Sequence, residues 1–366
     1  MKFIINRETL LTPLQQIVNV IEKRQTMPVL ANVLIKISEQ TLILTGTDLE
    51  IQMIAKIAID PTDSGEITVP ARKFLDICRL LPTEADINFA CKDGKVKIQS
   101  GSSRFALSTL AAETYPDFPE NDPDYQFTIS AGSLKKALDK TIFCMANQDF
   151  RYYLNGLMMH ISNSTLKLVT SDGHRLAIHE EDINQATGID SRIIIPRKAI
   201  QELSRILEDP EAEVTLQISK NNFKALVGNL VFSAKLIDAK YPDFSKVYQQ
   251  EYFPSIQIQK LALKEALTRV AILANEQTKG ITLELNNDHL LLSSYNPEHE
   301  EAEEKLAIEF SGKPSSITFN VQYLLEALTN LDSELAILTI ASNLSCCFIQ
   351  EPQEVPYKFI VMPMTL

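Results

Sequence analysis

Thr68–Ile77 reads TVPARKFLDI, Ile194–Leu203 reads IIPRKAIQEL and Thr318–Ala327 reads TFNVQYLLEA. In each, a β-branched run meets a proline or asparagine and turns into a helical pattern, and the three recur about 125 residues apart. Further out, Tyr115–Phe118 and Tyr241–Phe244 are both YPDF. Arg104–Leu110 (RFALSTL), Val231–Ile237 (VFSAKLI) and Lys358–Met364 (KFIVMPM) fall in step with them. A single active site has no use for three copies of a scaffold. A chain that surrounds something does, because repeated units meeting at similar angles build a curved array.

The 366 residues divide into three units of roughly 122, each long enough to bury its own core. A content of 45% hydrophobic and 22% charged residues is that of an ordinary soluble protein. No apolar run approaches the ~18 residues of a membrane span, and MKFIINRETL at the N-terminus lacks a secretory core. Cys78, Cys91, Cys144, Cys346 and Cys347 are odd in number and show no CxxC spacing. They read as reduced core thiols of a cytoplasmic protein rather than as disulfides or metal ligands. The expectation is a chain without metal, cofactor or membrane contact.

Each unit opens with an amphipathic helical window, at Glu8–Arg24, Ala131–Ala146 and Lys260–Ala274. Within the second, Leu134, Ala137, Leu138 and Ile142 share the period of one buried helical face. A second window follows at Ala71–Leu81, Arg197–Glu208 and Val321–Leu331, with Pro70 and Pro196 placed where a missing N–H costs little. About eight short β-branched or alternating runs accompany each pair of helices. The expected fold class is α+β, three repeated domains of two helices against antiparallel sheets. Boundaries fall at the proline- and acid-rich Pro116–Asp124 and near Tyr248–Pro254, giving domains 1–124, 125–250 and 251–366.

A net charge of −12 argues at first against nucleic acid. The distribution reverses that: 14 Lys and Arg against eight Asp and Glu lie in the six helical windows, so the helices are basic and everything else strongly acidic. Solvated helix faces explain any one of these. Recurrence over at least four helices points instead to a basic surface on a body that repels polyanions. No base-reading motif accompanies it, so DNA contact is expected to be to phosphates, salt-sensitive and indifferent to sequence.

At this point the motifs LTGTDLE (Leu44–Glu50), VPARKFLDICR (Val69–Arg79), QDFRYYLNG (Gln148–Gly156), TSDGHRLA (Thr170–Ala177), NPEHEEAEE (Asn296–Glu304) and VMPMTL (Val361–Leu366) meet a known pattern. From Met1 to Leu366 the chain resembles the bacterial sliding clamps, the beta subunits of DNA polymerase III. The resemblance implies a head-to-tail homodimer of three-domain chains, a ring on duplex DNA with helices lining the hole. It also implies tethering of the replicative polymerase alpha subunit, the clamp loader and repair proteins. Helix bulk supports the dimer independently. Six helices at roughly 9 Å spacing enclose a circle of about 17 Å at their axes, whereas twelve leave roughly 24 Å clear, enough for a duplex.

For DNA contact the resemblance implies Arg24, Arg72, Lys73, Gln148, Arg151, Tyr152, Tyr153, Arg197, Lys198 and Arg205. The two tyrosines read equally well as packing at a strand entry. For a partner-peptide cleft it implies Leu154, Thr170, Gly173, His174, Arg175, Leu176, Pro242, Val247, Asn320, Tyr323, Leu344, Val361, Met362, Pro363, Met364 and Leu366. Methionine adapts to different apolar partners, although VMPM also reads as a buried C-terminal strand. Thr365 stands where the family pattern has an arginine. For the dimer contact it implies Ile272 and Leu273 against Phe105, with Lys73 and Arg104 facing Glu298, Glu300, Glu303 or Glu304.

The rival reading is a hydrolase or nucleotidyltransferase using Asp172 and His174. No phosphate loop, metal set or nucleophile elbow accompanies them. The matching turn Thr45–Glu50 keeps the aspartate and drops the histidine, so Asp48 and Asp172 are expected to cap turns. No catalytic residue is assigned. A third reading, a polymerase-binding regulator that never touches DNA, predicts that alanine at Arg24, Arg197 and Lys198 leaves DNA loading untouched.

Overall fold

The computed structural model describes residues 1–366 apart from 23–26, 61–62, 93, 120, 184–187, 245–246, 248–253, 342–344 and 365–366. Its described residues form 24 strands, eight in each third of the chain, and each third carries two principal helices. These are α1 (Arg7–Val20), α2 (Ala71–Leu80), α3 (Ala131–Asp139), α4 (Arg197–Ile206), α5 (Lys260–Val270) and α6 (Val321–Thr329).

The helices end earlier than their periodicity suggested. After α3 the Thr141 hydroxyl donates back to the carbonyls of Ala137 and Leu138. The chain then tightens into a 3-10 turn at Ile142–Cys144, which takes Ile142 off the helical face. Another 3-10 turn, Ala271–Leu273, follows α5. The helices bury one stripe and expose the other. On α2, Ala71, Phe74, Leu75 and Cys78 are buried while Arg72, Lys73 and Arg79 face solvent.

Strand pairing divides the chain into two compact units, 1–135 with 198–238, and 136–197 with 239–366. In the first, β1 (Lys2–Asn6), β6 (Asp86–Lys92), β7 (Lys95–Ser100) and β8 (Ser103–Ser108) make a four-stranded antiparallel sheet. An eight-stranded sheet in the same unit is joined at its centre by β4 (Ile51–Ala58) and β16 (Leu230–Lys235). Helix α1 packs on this sheet so closely that a Cβ at Gly46 would lie 2.7 Å from Ile17 Cγ2.

The second unit repeats the plan. Its eight-stranded sheet runs from β13 (Asp190–Pro196) through β10 (Gly156–Ser162), β11 (Thr165–Ser171) and β12 (Arg175–Asp182) to β24 (Tyr357–Val361) and beyond. Here β12 and β24 make the central joint. Its four-stranded sheet is β20 (Glu301–Ala307), β19 (His289–Tyr295), β18 (Gly280–Leu285) and β21 (Ser315–Asn320). The two central joints are equivalent: each pairs the fourth strand of one repeat with the eighth strand of the next. That leaves β20, the fourth strand of the last repeat, and β8, the eighth strand of the first, as sheet edges.

Candidate nucleic-acid and peptide interfaces

The basic helical residues are more engaged than their sequence suggests. Lys198, in the first turn of α4, pairs with Glu22 Oε1 at 2.7 Å and with Asp48 Oδ2. Arg197 donates to the carbonyls of Met145 and Ala146, and Arg205 pairs with Glu202 on its own helix. Lys140, counted among the basic surface residues, is buried against Asp332 (2.6 Å) and the Asn330 carbonyl (2.6 Å). Arg72 spends one donor on the Ile21 carbonyl (2.8 Å) and is otherwise exposed, as is Lys73. Arg24 lies outside the described residues.

Gln148 is exposed with φ of 58° and opens a tight loop. Asp149 Oδ1 accepts from the Arg151 amide (2.8 Å) and Nε (3.0 Å), and its Oδ2 from the same guanidinium at 2.8 Å. Hydrogen bonding to Arg151 holds the Asp149 carboxyl down at about 2. Asn155 clamps the loop by bonding the Asp149 amide and carbonyl. Tyr152 and Tyr153 lie on a 3-10 turn that leads into β10, the strand entry anticipated for them, and Tyr152 is exposed. Phe150, 90% exposed beside them, was missed in the sequence reading. Its signal was an aromatic in a run that already held two.

Both aspartates of the repeated turn act as backbone acceptors. Asp48 Oδ1 accepts from the Glu50 and Ile51 amides, and Asp172 Oδ1 from those of His174 and Arg175. Asp172 Oδ2 binds Arg175 Nε at 2.9 Å. This carboxylate is committed to its turn and is in no position to serve as a general base. Among the described residues no group of three or more His, Cys, Asp or Glu is placed to hold a metal ion.

The turn after β11 gathers several of the residues expected to form a peptide cleft. Arg175 is buried at 9% exposure, bonded to Asp172 and to Glu326 Oε2 (2.8 Å), with Tyr323 4.6 Å and Phe143 5.7 Å from its guanidinium carbon. Burial disfavours its charge, but the Glu326 and Asp172 carboxylates beside it help to outweigh burial and hold its pKa above the usual arginine value. His174 stacks on Tyr323 at 6.2 Å, and its carbonyl accepts from the Met362 amide. Leu176 belongs to a buried cluster with Val169, Ile178, Phe348 and Ile360, against which Val247 and Met362 pack.

Other residues expected in such a cleft are buried or half-buried around this turn. Leu154, Thr170 and Val361 are buried; the Thr170 hydroxyl bonds the Thr141 carbonyl, and Val361 points into the main core on the face of β24 opposite Ile360. Strand alternation is the reason: the neighbour of a cleft-facing residue faces the other way. Asn320 caps α6 through the Gln322 amide. Pro242, Pro363 and Met364 are half-buried, the Met364 amide bonding the Thr318 carbonyl. Leu344, Thr365 and Leu366 lie outside the described residues. Phe143 and Glu326 were not anticipated, because nothing local links them to Arg175.

Models of the DNA polymerase III beta subunit match in series: the N-terminal domain over 1–119, the central domain over 128–243 and the C-terminal domain over 247–365. The chain belongs to the DNA polymerase III beta subunit family. The beta sliding clamp of Pseudomonas aeruginosa is 40% identical and that of Escherichia coli K12 is 39% identical, each with both chains covered in full. The solved sliding clamp of P. aeruginosa bound to griselimycin superposes over the whole of both chains with a TM-score of 0.96. No helix among the described residues of this beta-subunit family member is long and apolar enough to cross a membrane.

Proposed function

We propose that the chain is a non-catalytic processivity factor of the replicative DNA polymerase. Two copies join head to tail into a closed ring on duplex DNA in the cytoplasm, and a cleft on each copy tethers partner proteins by a short peptide. Each copy comprises three clamp domains, 1–124, 125–250 and 251–366. Exposed Arg72, Lys73, Gln148 and Tyr152 and half-buried Tyr153, with Arg151, Arg197, Lys198 and Arg205 behind their ion pairs and backbone bonds, meet phosphates weakly enough to permit sliding. Retention comes from ring closure, and tethering raises the local polymerase concentration at the primer end.

The observation that carries this reading is Phe105. Its counterparts at the two central sheet joints, Phe232 and Phe359, are at 0% and 1% exposure, whereas Phe105 on the edge strand β8 is 37% exposed. A third joint, made between β8 of one copy and β20 of another, would bury it. The existing registers pair Met53 with Phe232 and Ala177 with Phe359. Carried to the third joint, they set Ala302 opposite Phe105 and Glu303 opposite Arg104. Ile272, 77% exposed, and half-buried Leu273 follow α5 and supply apolar surface for the same contact, with exposed Lys73 and Glu298 at its rim. Glu304 and Glu300 already bond Arg269 and Asn296 within the chain. Glu303 has no ion-pair partner among the described residues, which leaves it for Arg104.

The test is retention on DNA after loading by a matching clamp loader and ATP, on a nicked circle and on the same plasmid linearised. A closed clamp stays on the circle at salt that abolishes phosphate binding and runs off the linear form. Equal loss from both would refute the ring.

A further inference from the structure

In the second unit, one face of β10, β11 and β13 and the segment 239–244 enclose a cavity of ≈ 520 Å³. Its apolar lining includes Met158, Val169, Ile194, Tyr241 and Phe244. Val169 belongs to the cluster that holds Leu176, and Met158, Tyr241 and Phe244 pack on that cluster together with Val247 and Met362. The cavity and the peptide cleft therefore share one apolar floor, and Pro242 lies at both.

Its rim carries Lys167, Arg192 and Lys240 together with His160 and Asp243. The repeats show that this is not a generic feature of the fold. At the matching cross-strand position of the first repeat, Lys36 faces Glu66 and pairs with it at 3.6 Å. In the second repeat His160 faces Arg192. The cross-strand ion pair of the first repeat is therefore absent here, and no carboxylate faces Arg192 from the paired position. Asp190 holds His160 at 2.7 Å and Glu180 holds Lys167 at 2.5 Å. Arg192 is exposed and has no ion-pair partner among the described residues.

We propose that this cavity is a second subsite of the peptide cleft, taking a flank of the partner peptide in which an aromatic side chain is followed by carboxylates. The inference rests on the cleft reading above. The aromatic ring enters beside Met158, Tyr241 and Phe244, where a pliable thioether and two rings accommodate it. The carboxylates face Arg192 and Lys240, adding register and selectivity to an anchor held in the cleft.

The probe is a fluorescent peptide from the clamp-binding segment of the polymerase alpha subunit, measured by anisotropy with the full chain. It is compared with versions extended at either end by Phe-Asp-Asp or by Phe-Lys-Lys. One acidic extension is expected to tighten binding about 5-fold, as a few rim charges allow, and the lysine extension is not. Arg192→Glu with Lys240→Glu is expected to abolish that gain and to leave the unextended peptide unchanged. A gain that survives the charge reversal, or an equal gain from lysine, overturns the subsite. So does selective displacement of the acidic flank by a short single-stranded oligonucleotide, which would make the rim a nucleic-acid contact. If the unextended peptide fails to bind, or binds Met362→Ala equally well, the cleft itself is wrong and the subsite falls with it.

Discussion

The Lys198 ammonium is held between two carboxylates, 2.7 Å from Glu22 Oε1 and in contact with Asp48 Oδ2. Asp48 is the acceptor that shapes the turn before β4, and its side chain is almost wholly buried. Lys198 thus neutralises a buried charge within its own chain. Lys198→Ala is expected to cost about 1–3 kcal/mol of stability, below the full cost of breaking a buried pair because Lys198 is itself a third exposed. Exposed Lys73→Ala should leave the melting temperature nearly unchanged. Thermal melts alongside retention on nicked circles separate the two roles. If Lys198→Ala melts like the parent and is lost from DNA, Lys198 is a phosphate contact first.

The sheet registers predict a particular pair across the dimer. Glu303→Arg should weaken the dimer by repelling Arg104, and adding Arg104→Glu should restore most of the loss. Phe105→Asp should give monomers outright, because it places a charge where both counterparts are fully buried. Sedimentation over a concentration series reads all three. If the double charge swap gives no rescue, the register is different.

Gly173 has φ of 89°, and a Cβ there would lie 2.6 Å from Arg151 Nη1. Gly173→Ala therefore combines an unfavourable backbone with displacement of the guanidinium that bonds Asp149 and the Asp172 carbonyl. A loss of about 1–3 kcal/mol is expected, with peptide affinity and DNA retention falling together as the temperature rises. Chemical-shift changes confined to the cleft turn, with the Arg151 side chain unmoved, would contradict the coupling.

Asp149 titrates below its unfolded value because Arg151 bonds its charged form. A lowered folded pKa means that the pair's contribution is complete above the ordinary aspartate range, near pH 4, and is lost as pH falls toward about 2. Asp149→Asn should flatten this acid limb while leaving the stability profile above pH 5 parallel to the parent's. Carboxyl carbon NMR titration checks the pKa directly; a midpoint near 4 would show that the pair does not form.

Much of this architecture was legible because it is written in local periods. Leu134, Ala137 and Leu138 mark a buried helical stripe, Pro70 and Pro196 mark helix starts, and the fold class followed from the repeats. Two things were not legible. The repeats do not keep their strands to themselves: β4 pairs β16 and β12 pairs β24, and no local pattern encodes which distant strand completes a sheet. Long-range neutralisation was equally hidden. Lys140 looks basic in its helix, and only the fold brings Asp332 and Tyr357 to it. The turn that holds His174 and Arg175 could be read from TSDGHRLA, whereas the inward turn of Val361 depended on which face of β24 meets the core.

If the β8 edge of one copy pairs with the β20 edge of the next, as proposed above, the chain is, in polymer terms, a bifunctional monomer. Head-to-tail addition of such monomers ends in a ring only if the accumulated rotation returns to its start; otherwise it grows into a fibre. The angle set at each internal sheet joint therefore decides between a finite assembly and an endless one. Small changes in twist far from the edges, at the β4–β16 or β12–β24 seam, would then act as errors of stoichiometry.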